Sequence, residues 1–364
     1  MQDQKIIPFK ITGMDSLGQG VSKETDRITF IPKTTIGDSG EALVQSEKKG
    51  VAFASMTQLK ESSPLRITPE CVHFNQCPSC HYLHVDYSEE LKFKKESLQR
   101  LFRKLPGPEI EVIPAIRRLG YRNRIQLHFD VALKKLGMLD ARSQQIIPVP
   151  HCRIGVPEVL STLKDLYQND QWLKEAPTLK GHLEIYWLKG KVQKNWNASY
   201  AQGGFTQVFD EMNQVMKNLL KKWSHEIPQS DLLDLFAGNG NLSHELNFKH
   251  RLCIDYYTTN PNTDSLSLDL YGKAALQKTQ AELRKKALHP AQLLIDPPRS
   301  GMKDLNEWLE ALKPQHVAYV SCDPHTLARD IASVTQYEIR HFFLIDFFPS
   351  TFHHESLIIL ERKS

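Results

Sequence analysis

The stretch that decides the fold is Leu232-Leu233-Asp234-Leu235-Phe236-Ala237-Gly238-Asn239-Gly240-Asn241. A short apolar run that ends in glycines indicates a buried strand that enters a tight loop, and we expect a short helix after the loop. Further strand-like runs then alternate with helical patterns, which predicts a parallel, doubly wound α/β sheet. The predicted strands cover residues 231–236, 251–255, 292–295, 317–321, 340–347 and 356–360.

The glycine loop has the features of a nucleotide-cofactor site. Glycine has no side chain, so Gly238 lets a ligand approach the backbone closely. Asp255 ends the next predicted strand, where an acid accepts hydrogen bonds from ribose hydroxyls. The loop lacks the third glycine of a dinucleotide fingerprint and the Lys-Ser/Thr pair of a phosphate loop. These gaps disfavour NAD and ATP and favour S-adenosylmethionine, although Asp255 alone is equally well interpreted as an exposed strand-end carboxylate.

Three later strands are followed in turn by a loop, a thiol and a carboxylate. Asp296-Pro297-Pro298-Arg299 follows the first of these strands, Cys322 follows the second, and Glu355 comes after the third. A thiolate adds to a flat, electron-poor ring, and a carboxylate can then remove a proton from that ring. Taken alone, Cys322 is as readily an inert core thiol and Glu355 a surface carboxylate.

Four of the six cysteines lie in the first half of the chain: Cys71, Cys77, Cys80 and Cys152. The chain has no run of about 18 apolar residues and its first ten residues are polar, so we expect a cytoplasmic protein with reduced thiols. One C-x2-C pair with an isolated fourth cysteine fits an iron–sulfur cluster better than a zinc ribbon. Zinc and free thiols remain alternatives, and Cys253 is interpreted as a packing residue.

Positive charge is concentrated in one window of the chain. Net charge is only +4, but residues 92–124 contain ten basic and three acidic residues. Such a concentration is typical of a surface that binds a polyanion, although a solvated helix face would look similar. Residues 88–104 are predicted to form a helix that is capped by Ser88. We expect a monomer that binds a polyanion, such as structured RNA, and no membrane.

The chain is long enough for two or three domains. Residues 1–62 alternate in strand-like fashion between glycine turns, which predicts a small β-barrel. Residues 63–200 contain the cysteines and further strand-like runs, which indicates a β-rich central domain with an iron–sulfur cluster and an RNA-binding role. Residues 201–364 hold the α/β pattern.

Taken together, these motifs resemble the RNA uracil-5-methyltransferases over essentially the whole chain. The barrel resembles the TRAM domain that the ribosomal-RNA members carry. The matching stretches are Cys71-x5-Cys77-x2-Cys80 with Cys152, Tyr121–Arg124, Phe205–Val208, Asp234–Asn241, Asp296–Gly301, Ser321–Asp330 and Phe348–Ser356.

The resemblance implies a class I methyltransferase domain that makes 5-methyluridine with S-adenosylmethionine. It implies that Cys322 adds to C6 of the uracil and that Glu355 removes the C5 proton. It also implies a [4Fe–4S] cluster on the four cysteines, and a site lined by Phe205 and Gln207. The residues that it places around the cofactor are Gln207, Phe236, Asn241, Asp255, Asp269 and Asp296.

Two departures from the family pattern matter most. Asp323 stands where the family usually has Asn after the nucleophile. The family places a helix between the two acids that correspond to Asp255 and Asp269, but residues 256–263 are too few for a helical crossover of at least ~10–12 residues. We therefore predict a tight, non-helical link, which puts the role of Asp269 in doubt.

The sequence thus predicts C5 methylation of a specific uridine, in 23S ribosomal RNA in preference to transfer RNA. Transfer RNA remains an alternative because both groups share the catalytic motifs. A catalytically silent RNA-binding or chaperone protein is the alternative from another class, against which the retained Cys322 and Glu355 argue. A DNA cytosine-5 methylase is disfavoured because its nucleophile lies in a Pro-Cys loop, which is absent here.

Overall fold

The computed structural model describes residues 5–140, 143–199, 207–225, 230–257 and 264–363, so Phe205 lies outside the described residues. The chain divides into two compact units. The first unit comprises Met1–Ser97, Ile116–Gly203 and Phe348–His353, and the second comprises Leu98–Ala115, Gly204–Phe347 and His354–Ser364. Within the described ranges, none of the helices combines the length and apolar character needed to cross a lipid bilayer.

A closed five-stranded barrel begins the first unit, as the sequence predicts. Its strands are β1 (Ile6–Met14), β2 (Gln19–Ser22), β3 (Ile28–Pro32), β4 (Ser39–Lys48) and β5 (Val51–Glu61), in the order β1-β2-β3-β5-β4. Ile7, Phe9 and Ile11 alternate with exposed residues along β1, so every second side chain fills the interior.

A second sheet of five strands follows in the same unit. Its strands are β7 (Arg124–Asp130), β8 (Lys135–Leu139), β9 (Ile146–Ile147), β10 (Lys180–Leu188) and β11 (Lys191–Trp196), in the order β11-β10-β7-β8-β9. Ile125, Leu127 and Phe129 share a core with helix α2 (Pro157–Tyr167). A 3₁₀ turn (Gln168–Asp170) and helix α3 (Gln171–Glu175) follow α2. Strands in this region agree with the strand-like runs of residues 63–200, whereas these helices were not predicted.

The second unit is built on one eight-stranded sheet with the order β14-β13-β12-β15-β16-β18-β17-β6. Its strands are β6 (Glu111–Ile113), β12 (Asp231–Leu235), β13 (Arg251–Asp255), β14 (Ser265–Ser267), β15 (Pro290–Ile295), β16 (His316–Ser321), β17 (Tyr337–Ile345) and β18 (Glu355–Arg362). Strands β12 to β16 are parallel to one another, and β18 runs antiparallel to both of its neighbours. All six predicted strands are present, whereas the three-residue strands β6 and β14 were not predicted.

Four helices belong to this sheet: α4 (Asp210–His225), α5 (Ala275–Lys285), α6 (Leu305–Leu312) and α7 (Pro324–Ala332). Buried residues of α5, α6 and α7 share one core with alternate residues of the strands, so these helices cover the same face. The chain moves outward from β12 to β14 and then returns to β15 on the other side of β12. Ligands of such sheets bind where the strand order reverses in this way, beyond the carboxyl ends of the strands.

Helix α1 (Tyr87–Phe102) begins one residue before Ser88, so Ser88 lies in its first turn and the predicted capping role is wrong. In the first unit this helix carries a buried ionic network. Glu90 Oε1 accepts from Lys94 Nζ at 2.8 Å and from the backbone N–H of Ser350 at 2.6 Å, and Arg118 donates to Glu90 Oε2 at 3.0 Å. The network therefore ties the segment Phe348–His353 to the rest of the unit.

We predict that Glu90→Gln lowers the free energy of unfolding by about 3–5 kcal/mol, because it leaves the buried Lys94 ammonium without its carboxylate. Urea unfolding followed by circular dichroism measures the loss. The matched control is Glu89→Gln, which removes a surface pair with Lys92 (3.5 Å) and should cost about 1 kcal/mol or less. Equal stability of the two variants would contradict the importance of the network.

Candidate functional site

The loop after β12 is shaped for close approach of a ligand. Phe236, Gly238 and Gly240 all have positive φ (60°, 54° and 75°), so the chain turns sharply directly after the strand. A Cβ atom added to Gly238 would meet nothing within 4 Å, which leaves open space above the backbone at that position. The loop continues as turns through residues 241–246, so the helix predicted after it is absent.

Asp255, at the end of β13, fastens this loop. Its Oδ2 accepts the backbone N–H of Gly238 at 3.0 Å, and its Oδ1 accepts the N–H of Tyr257 at 2.9 Å. A carboxylate oxygen accepts two hydrogen bonds, so each oxygen keeps capacity for a ligand hydroxyl. The structure thus gives Asp255 a role in loop geometry that the sequence did not reveal, and its contact with a ribose stays a prediction.

The other residues predicted to contact the cofactor lie in the loop after β12, ahead of α4 and after β14. Asn241 exchanges amide hydrogen bonds with Asn213 (3.0 and 3.1 Å), and the Phe236 ring packs against Tyr271 with 5.5 Å between centroids. Gln207 is half-buried ahead of α4, and Asp269 is exposed after β14.

Asp269 contributes to a cavity of about 250 Å³. The other lining residues are Tyr256, Ser267, Leu268, Gly272, Ala274, Ala275 and Lys278. The described parts of the link between Asp255 and Asp269 are non-helical, in line with the predicted tight link, but residues 258–263 lie outside the described residues.

Asp296 follows β15 and starts a braced loop. Its backbone N–H donates to the carbonyl of Leu235 at 3.3 Å, so this loop begins beside the glycine loop. Two residues further on, the backbone N–H of Gly301 closes a turn onto the carbonyl of Pro298 at 2.8 Å. The Tyr271 hydroxyl contacts Ser300 Oγ at 2.8 Å and donates to the Gly301 carbonyl at 2.9 Å.

Asp330 braces the same loop from beneath, and sequence reasoning missed it. Its buried Oδ2 accepts from the backbone N–H of Met302 and from the Tyr319 hydroxyl, both at 2.7 Å. A signal was present in the sequence: Asp330 lies with Leu327 and Ile331 on the buried stripe of α7, where an acid is out of place unless it is bonded.

The register of the sheet brings Cys322 and Glu355 together. Ser321 at the end of β16 pairs with Ser356 of the antiparallel strand β18. The next pair in that register is Cys322 opposite Glu355, and directly opposed residues have Cα atoms about 4.5–5.5 Å apart. Glu355 is 4% exposed and Cys322 is half-buried. The two residues predicted as nucleophile and base are therefore neighbours at the carboxyl end of β16.

Asp323 fixes the backbone on the other side of the thiol. As the N-cap of α7, its Oδ1 accepts the N–H groups of His325 (2.9 Å) and Thr326 (3.1 Å). Aspartate and asparagine cap helices about equally well, so the departure at this position keeps the geometry. Ser321 Oγ adds a hydrogen bond to the Asp323 carbonyl at 3.0 Å, which closes a tight turn around Cys322.

Burial and neighbouring acids dominate the electrostatics of this site. Burial raises the pKa of the Cys322 thiol to about 12, Glu355 and Asp296 add to the rise, and Arg299 opposes it. Burial also raises the pKa of Glu355 well above its usual range, again with Asp296 adding and Arg299 opposing. The pKa of Asp296 is raised to about 7 by burial and by Asp234. Strongly perturbed groups of this kind are typical of catalytic sites.

In the first unit, the four remaining predicted site residues lie within electrostatic reach of one another. Burial raises the pKa values of Cys71, Cys80 and Cys152, and the Cys77 thiol raises each of them further. Four thiols are the donor set that iron–sulfur clusters use, so their chemistry fits one. Among the described residues, however, no group of three or more His, Cys, Asp or Glu side chains is already arranged to hold a metal ion.

Backbone contacts hold the cysteine segments next to each other. The N–H of His151 donates to His73 Nε2 at 3.3 Å, and the two rings stack with 6.1 Å between centroids. This contact links the loop of Cys71 to the segment of Cys152. Lys33 of the barrel donates to the carbonyl of Cys77 at 2.9 Å.

The sequence of this chain is similar to those of known RNA methyltransferases. Residues 261–363 match the family model for tRNA (uracil-5-)-methyltransferase. The 23S rRNA (uracil(1939)-C(5))-methyltransferase RlmD of Shewanella woodyi is 26% identical over 98% of this chain and 96% of its own length. The enzyme of the same name from Vibrio parahaemolyticus is 26% identical over 97% of this chain and 95% of its own length.

A solved structure agrees at the level of the fold. It is that of the Pyrococcus abyssi tRNA (uracil-54, C5)-methyltransferase in complex with S-adenosyl-L-homocysteine, with a TM-score of 0.67, 20% identity and coverage of 97% of this chain and 99% of that one. This similarity extends over both the barrel and the α/β sheet. Its carboxyl-terminal region matches the family model and its relatives align over nearly its whole length, so the chain is similar to the RNA uracil-5-methyltransferases.

Proposed function

We propose that this chain methylates C5 of a specific uridine in 23S ribosomal RNA, with S-adenosylmethionine as methyl donor. The observation that carries the proposal is the position of Cys322 and Glu355, each one residue beyond the Ser321–Ser356 pair of β16 and β18, with Asp296 in electrostatic reach of both. The target base has to leave its stack to reach a half-buried thiol at the end of a strand.

The cofactor would bind across the loops that follow β12, β13 and β15. The open space above Gly238 accommodates a ligand against the backbone, and Asp255 has oxygen capacity for ribose hydroxyls. When bound, S-adenosylmethionine supplies an electrophilic methyl group on a positively charged sulfur. The acids Asp234, Asp255 and Asp296 at this end of the sheet favour a cation, which agrees with such a donor.

Cys322 and Glu355 would act in sequence on the uracil ring. The Cys322 sulfur, as a thiolate, forms a bond to C6, and the electron pair of the C5–C6 double bond makes C5 nucleophilic enough to take the methyl group, with S-adenosylhomocysteine as the leaving group. The Glu355 carboxylate then accepts the C5 proton, the double bond re-forms, and the bond from sulfur to C6 breaks. The raised pKa of Glu355 makes its carboxylate a stronger base for this proton transfer.

The choice of 23S ribosomal RNA rests on the relatives. The RlmD enzymes that align with nearly all of this chain are named for position 1939 of that RNA. Exposed basic residues at the end of α1 and just beyond it, Arg100, Arg103 and Lys104, suit the phosphate backbone of an RNA.

Cys71, Cys77, Cys80 and Cys152 would hold a [4Fe–4S] cluster. Their thiolates supply the four ligands that such a cluster needs, and closure of the ligand sphere on binding would stabilise the loop that carries three of them. The residues of the methyl-transfer site are others, so the cluster is assigned a structural role in the first unit.

The substrate assignment is tested with radiolabelled S-adenosylmethionine and separated RNA species from a strain that lacks the modification. We predict that the label enters large-subunit ribosomal RNA as 5-methyluridine at one nucleotide, which digestion and mass spectrometry locate. Label in transfer RNA alone would replace the proposed substrate, and label in neither RNA would contradict the enzyme activity.

The two-step role of the side chains predicts a trapped intermediate. In Glu355→Gln the C5 proton stays in place, so the bond between Cys322 and C6 persists and a covalent protein–RNA adduct accumulates. Denaturing gel electrophoresis with labelled RNA detects it. Cys322→Ala in the same background should form no adduct, and Glu361→Gln, a change at a half-buried position in the same strand, should turn over like the wild type. An adduct that survives Cys322→Ala would contradict the assignment of the nucleophile.

The cluster predicts about four iron atoms per chain after purification without oxygen. Iron and acid-labile sulfide should fall strongly in Cys80→Ala and Cys152→Ala, together with visible absorbance near the usual iron–sulfur band. Cys253→Ala, which removes a thiol from strand β13, serves as the control and should retain the iron. Zinc without iron in the wild-type protein would refute the cluster.

A further inference from the structure

Arg299 is presented by a turn that is fixed on several sides. It is the second residue of the turn from Pro298 to Gly301, which the Gly301 N–H closes at 2.8 Å. Arg329 donates to the Ser300 carbonyl at 2.8 Å, and the Tyr271 hydroxyl contacts Ser300 Oγ and donates to the Gly301 carbonyl. Gly301 has a φ of 68°, and a Cβ there would lie 2.4 Å from Asp330 Oδ2. The turn therefore has little freedom to move.

The charges that act on Cys322 come from three elements. Asp296 and Arg299 belong to the loop after β15, Glu355 to β18, and Asp323 to the turn of the thiol itself. The three acids disfavour a thiolate, and Arg299 is the cation among these four groups. Arg299 also acts on Glu355 in the same direction. An attacking sulfur has to be a thiolate, so the acids work against the first step and Arg299 works for it.

Arg299 forms no ion pair with a carboxylate among the described residues. In the described part of the chain, no carboxylate oxygen lies within 4 Å of its guanidinium, whereas its neighbour Arg329 is bonded to Asp330 at 2.6 Å. Arg299 is also exposed, so it bears no burial cost that would require such a partner. The turn that carries Arg299 is bonded to Arg329 and Asp330 of α7, the helix that begins just after Cys322, so the backbone of this cation is held at the edge of the sheet that bears the thiol.

We propose that Arg299 is a positioning residue that acts through Cys322, by stabilising the sulfur as a thiolate before it attacks the base. The inference deepens the proposed function and rests on it for the identity of the target ring. The claim about the thiolate concerns the free protein, so it can be tested without RNA or cofactor.

The test is the pH dependence of alkylation of Cys322 by iodoacetamide. The thiol loses its proton to the buffer, the thiolate sulfur bonds to the methylene carbon, and iodide leaves. Peptide mass spectrometry follows Cys322 separately from the other five cysteines. Removal of a nearby positive charge raises the thiol pKa, so Arg299→Gln should move the rate profile upward by about 0.5–1 pH unit. Below the midpoint, alkylation should be about 3–10-fold slower than in the wild type.

Two further variants separate the charge effect from a structural effect. Arg299→Lys keeps the charge and should restore most of the rate. Arg284→Gln makes the same charge change in the last turn of α5, which precedes the start of β15. The start of β15 lies about 20 Å along the strand from the edge that bears Cys322. This variant should therefore leave the rate profile unchanged.

An unshifted profile in Arg299→Gln, or an equal shift in Arg284→Gln, would overturn the inference. Failure of RNA methylation in the wild-type protein would instead overturn the proposed function, because the alkylation assay contains no RNA. The two failures are therefore distinguishable. Because both arginines are exposed, the unfolding temperatures of all variants should match that of the wild type. Matching temperatures exclude loss of folding as the cause of a shifted profile.

Discussion

The antiparallel direction of β18 is the constraint on which the candidate site depends. In a purely parallel sheet, only residues that follow strands reach the carboxyl ends, so every functional group has to come from a loop. Because β18 is reversed between β16 and β17, its first residue, Glu355, lies at the same edge as Cys322, which follows β16. A register slip of one residue would turn the Glu355 side chain to the opposite face of the sheet. Eleven of the fourteen residue pairs that β18 forms with β16 and β17 include an apolar side chain, and their packing keeps Glu355 in register.

Buried acids at the same site have raised pKa values and therefore an unfavourable effect on stability at neutral pH. Burial raises the pKa values of Asp234 and Asp296 to about 7 and that of Glu355 well above its usual range. An acid whose pKa is higher in the folded state binds protons more tightly there, so its contribution to stability is lost as the pH rises toward the folded pKa. At neutral pH these acids therefore oppose folding, and the apolar core beneath them has to offset the cost. Such a concentration of acids is understandable if a cationic donor binds among them.

The strands that the sequence predicted are those that consist of apolar runs. Strands β12 and β13 were predicted within one residue because each buries nearly all of its side chains. The three-residue strands β6 and β14 have no such pattern, since only their pairing with longer neighbours defines them. The helix expected after the glycine loop is replaced by turns, because Asp255 and a series of local hydrogen bonds fix the loop instead. The roles of Cys322 and Glu355 were inferred from family motifs, whereas their proximity required the strand register.

The segment that leads into Glu355 is held within the first unit by the ionic network of helix α1. Ser350 has a φ of 69°, and its N–H is held by the buried carboxylate of Glu90, while its carbonyl accepts the N–H of His81 at 2.7 Å. Five residues later the chain enters β18 at Glu355. Within the second unit, pairing with β16 on one side and β17 on the other limits slippage of β18 along its length.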